Sequence, residues 1–306
     1  VLGCRHLLTR GIAGRLPLDH LTISAYNRAI GEEERVVGVG KRLRVRSLAS
    51  GSNGNCVVVQ SGEDALLIDA GISRRAVLAG LAATGIPEHA VRAILLTHEH
   101  SDHTRGLLPV ARRLGAPVIA NRATLAAAGA CDLEHCVLET GATLELGALR
   151  LCSFGVSHDS VEPVGYVVED GAHRVVCCTD TGVPGDLSER LKEADLAILE
   201  ANHDIDRLLA GPYPERLKRR ILGDAGHLSN AAAAELASAL LLHRPGAQVW
   251  LAHLSAINNT PSLALATVRR QVAMAGGDPE RVTVAPRGRP GPIWDAAETW
   301  RQLSLF

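Results

Sequence analysis

The chain has 306 residues, 46% hydrophobic and 21% charged, so it can bury a sizeable core and is not disordered throughout. Its formal net charge of −1 argues against a uniformly basic nucleic-acid binder and against an acidic solvating tail, and leaves room for a local basic groove. Aromatics at 3% exclude a protein that threads bases along many stacked rings, and seven cysteines without CxxC spacing fit neither a disulfide framework nor a zinc pair.

Residues 1–42 scatter Arg and Gly without periodicity and are expected to be an N-terminal extension outside the core, with a transit peptide as the alternative. Pattern begins at Leu43, where Leu43 to Leu48 alternates like a half-buried strand. Ser50 to Asn55 is a glycine-containing turn, and its N–H groups could also surround a phosphate. Cys56 to Gln60 and Ala65 to Ile68 read as strands, the second running into Asp69. Ser73 caps a helix through Thr84, and Val91 to Thr97 is a buried strand that ends in a histidine cluster. Leu149 to Gly155 stops before His158, Arg174 to Thr179 before Asp180, Leu196 to Leu199 before Glu200, and Val249 to Ala252 before His253. Ser229 opens an Ala-rich helix, and another helix spans Pro261 to Ala275. The domain is expected over residues 43–290, with 291–306 a short C-terminal tail. The longest apolar run, Ala231 to Leu242, is broken by Glu235 and falls short of the ~18 residues of a membrane span. The expected compartment is the reducing cytoplasm, with no membrane association.

The recurring device is a short apolar strand followed at once by Asp or His, which lets rigid strand ends deliver polar groups to one rim. Its densest case is Thr97-His98-Glu99-His100-Ser101-Asp102-His103. On a tight turn, side chains two apart can share one metal while the next pair shares another. Imidazole with carboxylate and no thiolate suits zinc, manganese or iron and reads as catalytic. A lone zinc clip or a polar turn of satisfied histidines is the simpler alternative.

This HxHxDH run after a strand resembles the signature of the metallo-β-lactamase superfamily. Asp69, His158, Asp180 and His253 resemble its other motifs, in the family's order. The resemblance covers about Leu43 to Ala285 and implies a four-layer αββα sandwich. It implies two divalent ions, zinc or manganese. Site one would be His98, His100 and His158; site two Asp102, His103 and His253, with Asp180 bridging. Asp69 would orient ligands from behind, or merely form an Asx turn. A hydroxide shared by the ions would be the nucleophile. Asp102 and His227 are the catalytic candidates, and no Ser or Cys nucleophile is required.

True β-lactamases often have Cys at the fourth motif; Asp180 disfavours antibiotic hydrolysis. Ser47 to Asn55, Glu200-Ala201-Asn202-His203-Asp204 and Gly226-His227-Leu228-Ser229-Asn230 resemble the YycJ/WalJ-type subgroup, which is linked to DNA exonuclease activity. His227 before His253 also matches the order in the tRNA-processing nucleases. His227 precedes a helix whose N-terminus, with Ser229 and Asn230 as caps, favours phosphate; a capping or core histidine is the alternative. His203 and Asp204 are expected at the entrance, and Glu200 beside a histidine. The basic run Arg216 to Arg220 could meet a nucleic-acid backbone, although taken alone a solvated helix face explains it better. The expected activity is a dinuclear phosphodiesterase acting on DNA as an exonuclease. The alternatives are a small-molecule hydrolase acting on a cyclic phosphate, thioester or lactone, and a metal-binding regulatory module without turnover.

Overall fold

A computed structural model describes residues 42–298. The expected N-terminal extension lies outside the described residues up to residue 41. Two seven-stranded mixed sheets form the centre. The first is built from β1 (Leu43–Ala49), β2 (Cys56–Ser61), β3 (Asp64–Ile68), β4 (Val91–Leu95), β5 (Val118–Ala120) and β6 (His135–Val137), with β14 (Ile293–Asp295) on the outer edge of β1. The second runs from β7 (Thr143–Leu146) through β8 (Leu149–Gly155), β9 (Val164–Glu169), β10 (Arg174–Cys178), β11 (Leu196–Glu200) and β12 (Gln248–Ala252) to β13 (Val282–Val284). Each sheet is antiparallel in one half and parallel in the other: β3 to β6 and β10 to β13 are the parallel runs.

The strand sequences explain the layering. Alternate residues point to opposite faces, and both faces are buried, so the central strands read as continuous apolar runs. In β3, Leu66 and Ile68 enter the core between the sheets, while Ala65 and Leu67 face outward onto helices. In β12, Trp250 and Ala252 point inward, and Val249 and Leu251 outward. The outer face of the first sheet is covered by α1 (Arg74–Thr84), α3 (Leu107–Leu114) and α4 (Arg122–Ala127). The second is covered by α5 (Leu187–Leu191), α8 (Asn230–His243) and α9 (Pro261–Ala275). The short helices α2 (Ser101–Thr104), α6 (Ile205–Ala210) and α7 (Glu215–Leu222) lie in the connections at the strand ends. The expected αββα sandwich is therefore the fold.

The boundary expected at residue 290 moves outward. Ile293 and Trp294 pair with Arg46 and Val45, and Trp294 and Ala296 are buried in the central core. Indole burial holds the segment from Ile293 to Ala296 to the sheet. Among the described residues no helix is long and apolar enough to cross a membrane.

Candidate metal centre

The C-terminal ends of β3, β4, β10, β11 and β12 meet on one rim. Only three described non-glycine residues have positive φ, and all three stand at these ends: Asp69 at 61°, Asp180 at 59° and His253 at 53°. The left-handed conformation disfavours an L side chain by about 1 kcal/mol or more. The surrounding structure holds all three in it, turning each side chain into the site as the strand stops.

All seven metal-ligand candidates converge there. Donor atoms of His98, His100 and His158 lie within 4.8 Å of one another, as do those of Asp102, His103 and His253. His98, His103 and Asp180 form a third such group linking the two. Asp180 Oδ2 is 3.1 Å from His103 Nε2, and its Oδ1 is 3.3 Å from His253 Nδ1. His98 Nε2 and Asp180 Oδ2 are buried with no hydrogen-bond partner. Native proteins rarely orphan such atoms, and unpartnered imidazole and carboxylate donors converging on one point fit a divalent ion. The residues present therefore suit the metals that the motifs imply.

The other faces of these rings are already engaged. His158 Nδ1 donates to the Gly226 carbonyl at 2.9 Å, which leaves its Nε2 for the centre. His98 Nδ1 meets Thr97 Oγ1 at 3.0 Å. His103 Nδ1 donates to Asp69 Oδ2 at 2.7 Å, and Asp69 Oδ1 also accepts the Thr97 N–H at 2.9 Å. Asp69 thus orients a ring and fixes the turn that carries the cluster; it is not an Asx turn of its own.

Glu200 carries more than its sequence expectation. Fully buried, it accepts His227 Nδ1 at 2.8 Å and His253 Nδ1 at 2.9 Å through Oε1. Its Oε2 accepts the N–H groups of Thr181 and Leu228 at 3.0 and 3.2 Å. Donor atoms of Asp180, Glu200, His227 and His253 form a fourth close group. The sequence signal was a carboxylate directly after a buried strand, as at Asp69; nothing local revealed two histidine partners.

Charge follows from these contacts. Burial pushes His98 well below the usual imidazole range, and His103 beside it acts in the same direction. Burial also opposes charge on His253, but Asp180, Asp102 and Glu200 outweigh it and raise it to about 10. Glu200 would be raised by burial; His227 and His253 instead hold it at about 2. Burial likewise opposes charge on His227, and the Glu200 carboxylate raises it above the ordinary value.

Other expectations change. His203 does not line the entrance: it is 1% exposed, and burial lowers it to about 4. Asp204 caps α6 by accepting the Arg207 N–H. Ser229 caps α8 as expected, whereas Asn230 turns away to exchange side-chain hydrogen bonds with Asn259. His227 is no cap, since its Nδ1 serves Glu200. In the basic run, Lys218 is buried on the Leu209 carbonyl and Arg220 pairs with Asp159, while Arg216 and Arg219 are exposed.

Comparisons with known proteins agree with this geometry. A model of the beta-lactamase superfamily domain matches residues 65–253. Exodeoxyribonuclease YycJ of Bacillus anthracis is 38% identical over 245 residues, covering 76% of this chain and 90% of that protein. Exodeoxyribonuclease WalJ of Streptococcus pneumoniae serotype 2 (strain D39 / NCTC 7466) is 39% identical over 236 residues, covering 74% and 87%. The metallo-beta-lactamase fold protein YhfI from Bacillus subtilis superposes with a TM-score of 0.62 at 21% identity, covering 84% of this chain and all of that one.

Proposed function

Because the chain belongs to the beta-lactamase superfamily and, within it, to the family of the YycJ and WalJ exodeoxyribonucleases, we propose that it is a metal-dependent phosphodiesterase that shortens DNA from an end. One observation carries the reaction class: seven His and Asp side chains from distant segments converge on one rim with buried, unpartnered donors. DNA as substrate is inferred from the relatives' activity.

In this reading His98, His100 and His158 would hold one ion and Asp102, His103 and His253 a second, with Asp180 available to both. Zinc and manganese both match the donors. Such ions, when bound, supply Lewis acidity that lowers the pKa of water and offsets charge on a phosphoryl group. The chain's own residues supply position and protons. Asp69 fixes His103, and Glu200 fixes His253 and His227. With Nδ1–H given to Glu200, a protonated His227 presents Nε2–H at the opening, where its side chain is 19% exposed. That proton is placed for a leaving alkoxide oxygen, the role of a general acid. Asp102 Oδ2 stands 3.2 Å from His253 Nε2, so the two ligand atoms face one point at the same opening. The six described cysteines are all free, in keeping with the cytoplasm.

The test is a substrate panel: end-labelled single- and double-stranded DNA, RNA, bis(p-nitrophenyl) phosphate and a thioester, each with metal, with chelator, and with metal restored. Stepwise loss of nucleotides from a DNA end, abolished by chelator and restored by metal, is the expected result. Thioester cleavage with DNA left intact would replace this reading by small-molecule hydrolysis.

A further inference from the structure

We propose that the turn between β1 and β2, flanked by Arg105 and Arg287, is an anion clamp for a non-scissile phosphate of a nucleic-acid strand; the proposal rests on the exonuclease reading above. Gly54 N donates to Gly51 O at 2.8 Å, closing a tight turn whose central residues Ser52 and Asn53 are exposed. Neither of their N–H groups has a partner among the described residues. Two adjacent free N–H groups on a turn tip form a concavity suited to an anion.

The turn is tied to the metal centre at both ends. Ser50 Oγ accepts the His253 N–H at 2.8 Å. Asn55 Oδ1 accepts the Gly51 N–H at 2.8 Å, while its Nδ2 lies 3.0 Å from His103 Nε2 and 3.4 Å from Asp102 Oδ2. The turn therefore stands one hydrogen bond from the Asp102, His103 and His253 half. A phosphate held there belongs to a linkage next to the one being cut.

Two arginines bracket the tip. Arg105, just after the histidine cluster, donates to the carbonyls of Asn53 and Gly71 and meets no carboxylate among the described residues. Neutral acceptors position a guanidinium without cancelling its charge. Arg287 lies over the other side: a Cβ placed on Gly51 would sit 2.7 Å from Arg287 Cγ. Its guanidinium has no hydrogen bond or ion pair among the described residues. Gly51, at φ 140°, is needed both for its conformation and for this close approach. Elsewhere on the rim Arg220 is neutralised by Asp159. Uncompensated guanidinium charge thus stands beside the free N–H groups, and planar guanidinium is the side chain best matched to phosphate oxygens.

The test measures binding of a fluorescein-labelled single-stranded oligonucleotide with phosphorothioate linkages to the metal-loaded protein between about 50 and 200 mM salt, the range over which affinity for a phosphate backbone falls steeply. Arg287→Gln and Arg105→Gln are compared singly and together, with metal content and melting temperature as controls. The double variant should bind about tenfold more weakly or worse. The log–log salt slope should flatten by about 0.7 for each phosphate that is no longer neutralised. Arg287→Lys should restore the slope. Arg105→Gln could loosen the turn, so Arg287→Gln, whose guanidinium bonds to nothing in the described fold, is decisive. Wild-type affinity and slope in Arg287→Gln would overturn the clamp. A wild-type protein that hydrolyses bis(p-nitrophenyl) phosphate yet neither binds nor degrades DNA would instead overturn the exonuclease reading.

Discussion

His98 and His158, on one side of the centre, turn Nδ1 to neutral oxygens of Thr97 and Gly226, whereas His103 and His253, on the other, turn theirs to the buried carboxylates of Asp69 and Glu200. A neutral acceptor orients an imidazole. A carboxylate also makes its second nitrogen a stronger donor. The first half is thus positioned and the second is both positioned and polarised, with Asp180 between them. Removing the carboxylates behind the rings should affect the halves unequally, and removing Asp180 should affect both.

The largest effect is expected there. Asp180→Ala should lower metal content on both sides and reduce turnover of every substrate by on the order of 10⁴-fold, roughly 5.5 kcal/mol of barrier. Elemental analysis beside kinetics checks it; a variant that kept one full equivalent of metal would mean that the halves are independent. His227→Ala should come next. It should keep its metal and lose about 10²–10⁴-fold on DNA, the scale of a lost general acid. The loss should shrink on bis(p-nitrophenyl) phosphate, whose leaving group needs no proton. Equal losses on both substrates would reduce His227 to phosphate binding, and a loss of metal would make it a ligand.

The two carboxylates then separate. Among the rings Asp69 bonds directly only to His103, and the Asn side chain keeps an oxygen for the Thr97 N–H, so Asp69→Asn should weaken binding of the second metal equivalent by about 10–100-fold, and excess metal should restore activity. Glu200→Gln disturbs His253 and His227 together. Excess metal should therefore restore turnover of bis(p-nitrophenyl) phosphate more fully than turnover of DNA. Identical rescue of both variants on both substrates would remove Glu200 from any role beyond His253.

The long strands and the ligand set were legible in the sequence because their signals are local. A strand buried on both faces reads as an unbroken apolar run, and four potential ligands fall between His98 and His103. The three-residue strands β5, β6, β13 and β14 left no period to read; β14 is held by pairing with β1 and by burial of Trp294. The second role of Glu200, the burial of His203 and the Asn230–Asn259 pair all depend on partners at least 27 residues away in sequence or on enclosure by the fold. The left-handed backbone at Asp69, Asp180 and His253 was equally invisible, since no glycine marks those positions.

Ser229 supplies the smallest and most discriminating comparison, because it belongs to neither half and stands two residues from His227. Its hydroxyl accepts the Ala232 N–H at 3.2 Å and starts α8, whose inner face is buried against the second sheet. Ser229→Ala removes that cap and should cost about 1 kcal/mol of stability. For a domain of this size that is a fall of roughly 2–4 °C in melting temperature. The His227–Glu200 and His227–Asp180 contacts do not pass through the hydroxyl, so DNA turnover at about 25 °C should stay within about twofold of wild type, well inside 1 kcal/mol of barrier. If turnover instead fell as far as in His227→Ala, the phosphate would be recognised by the start of the helix, and the imidazole would matter only for shaping it.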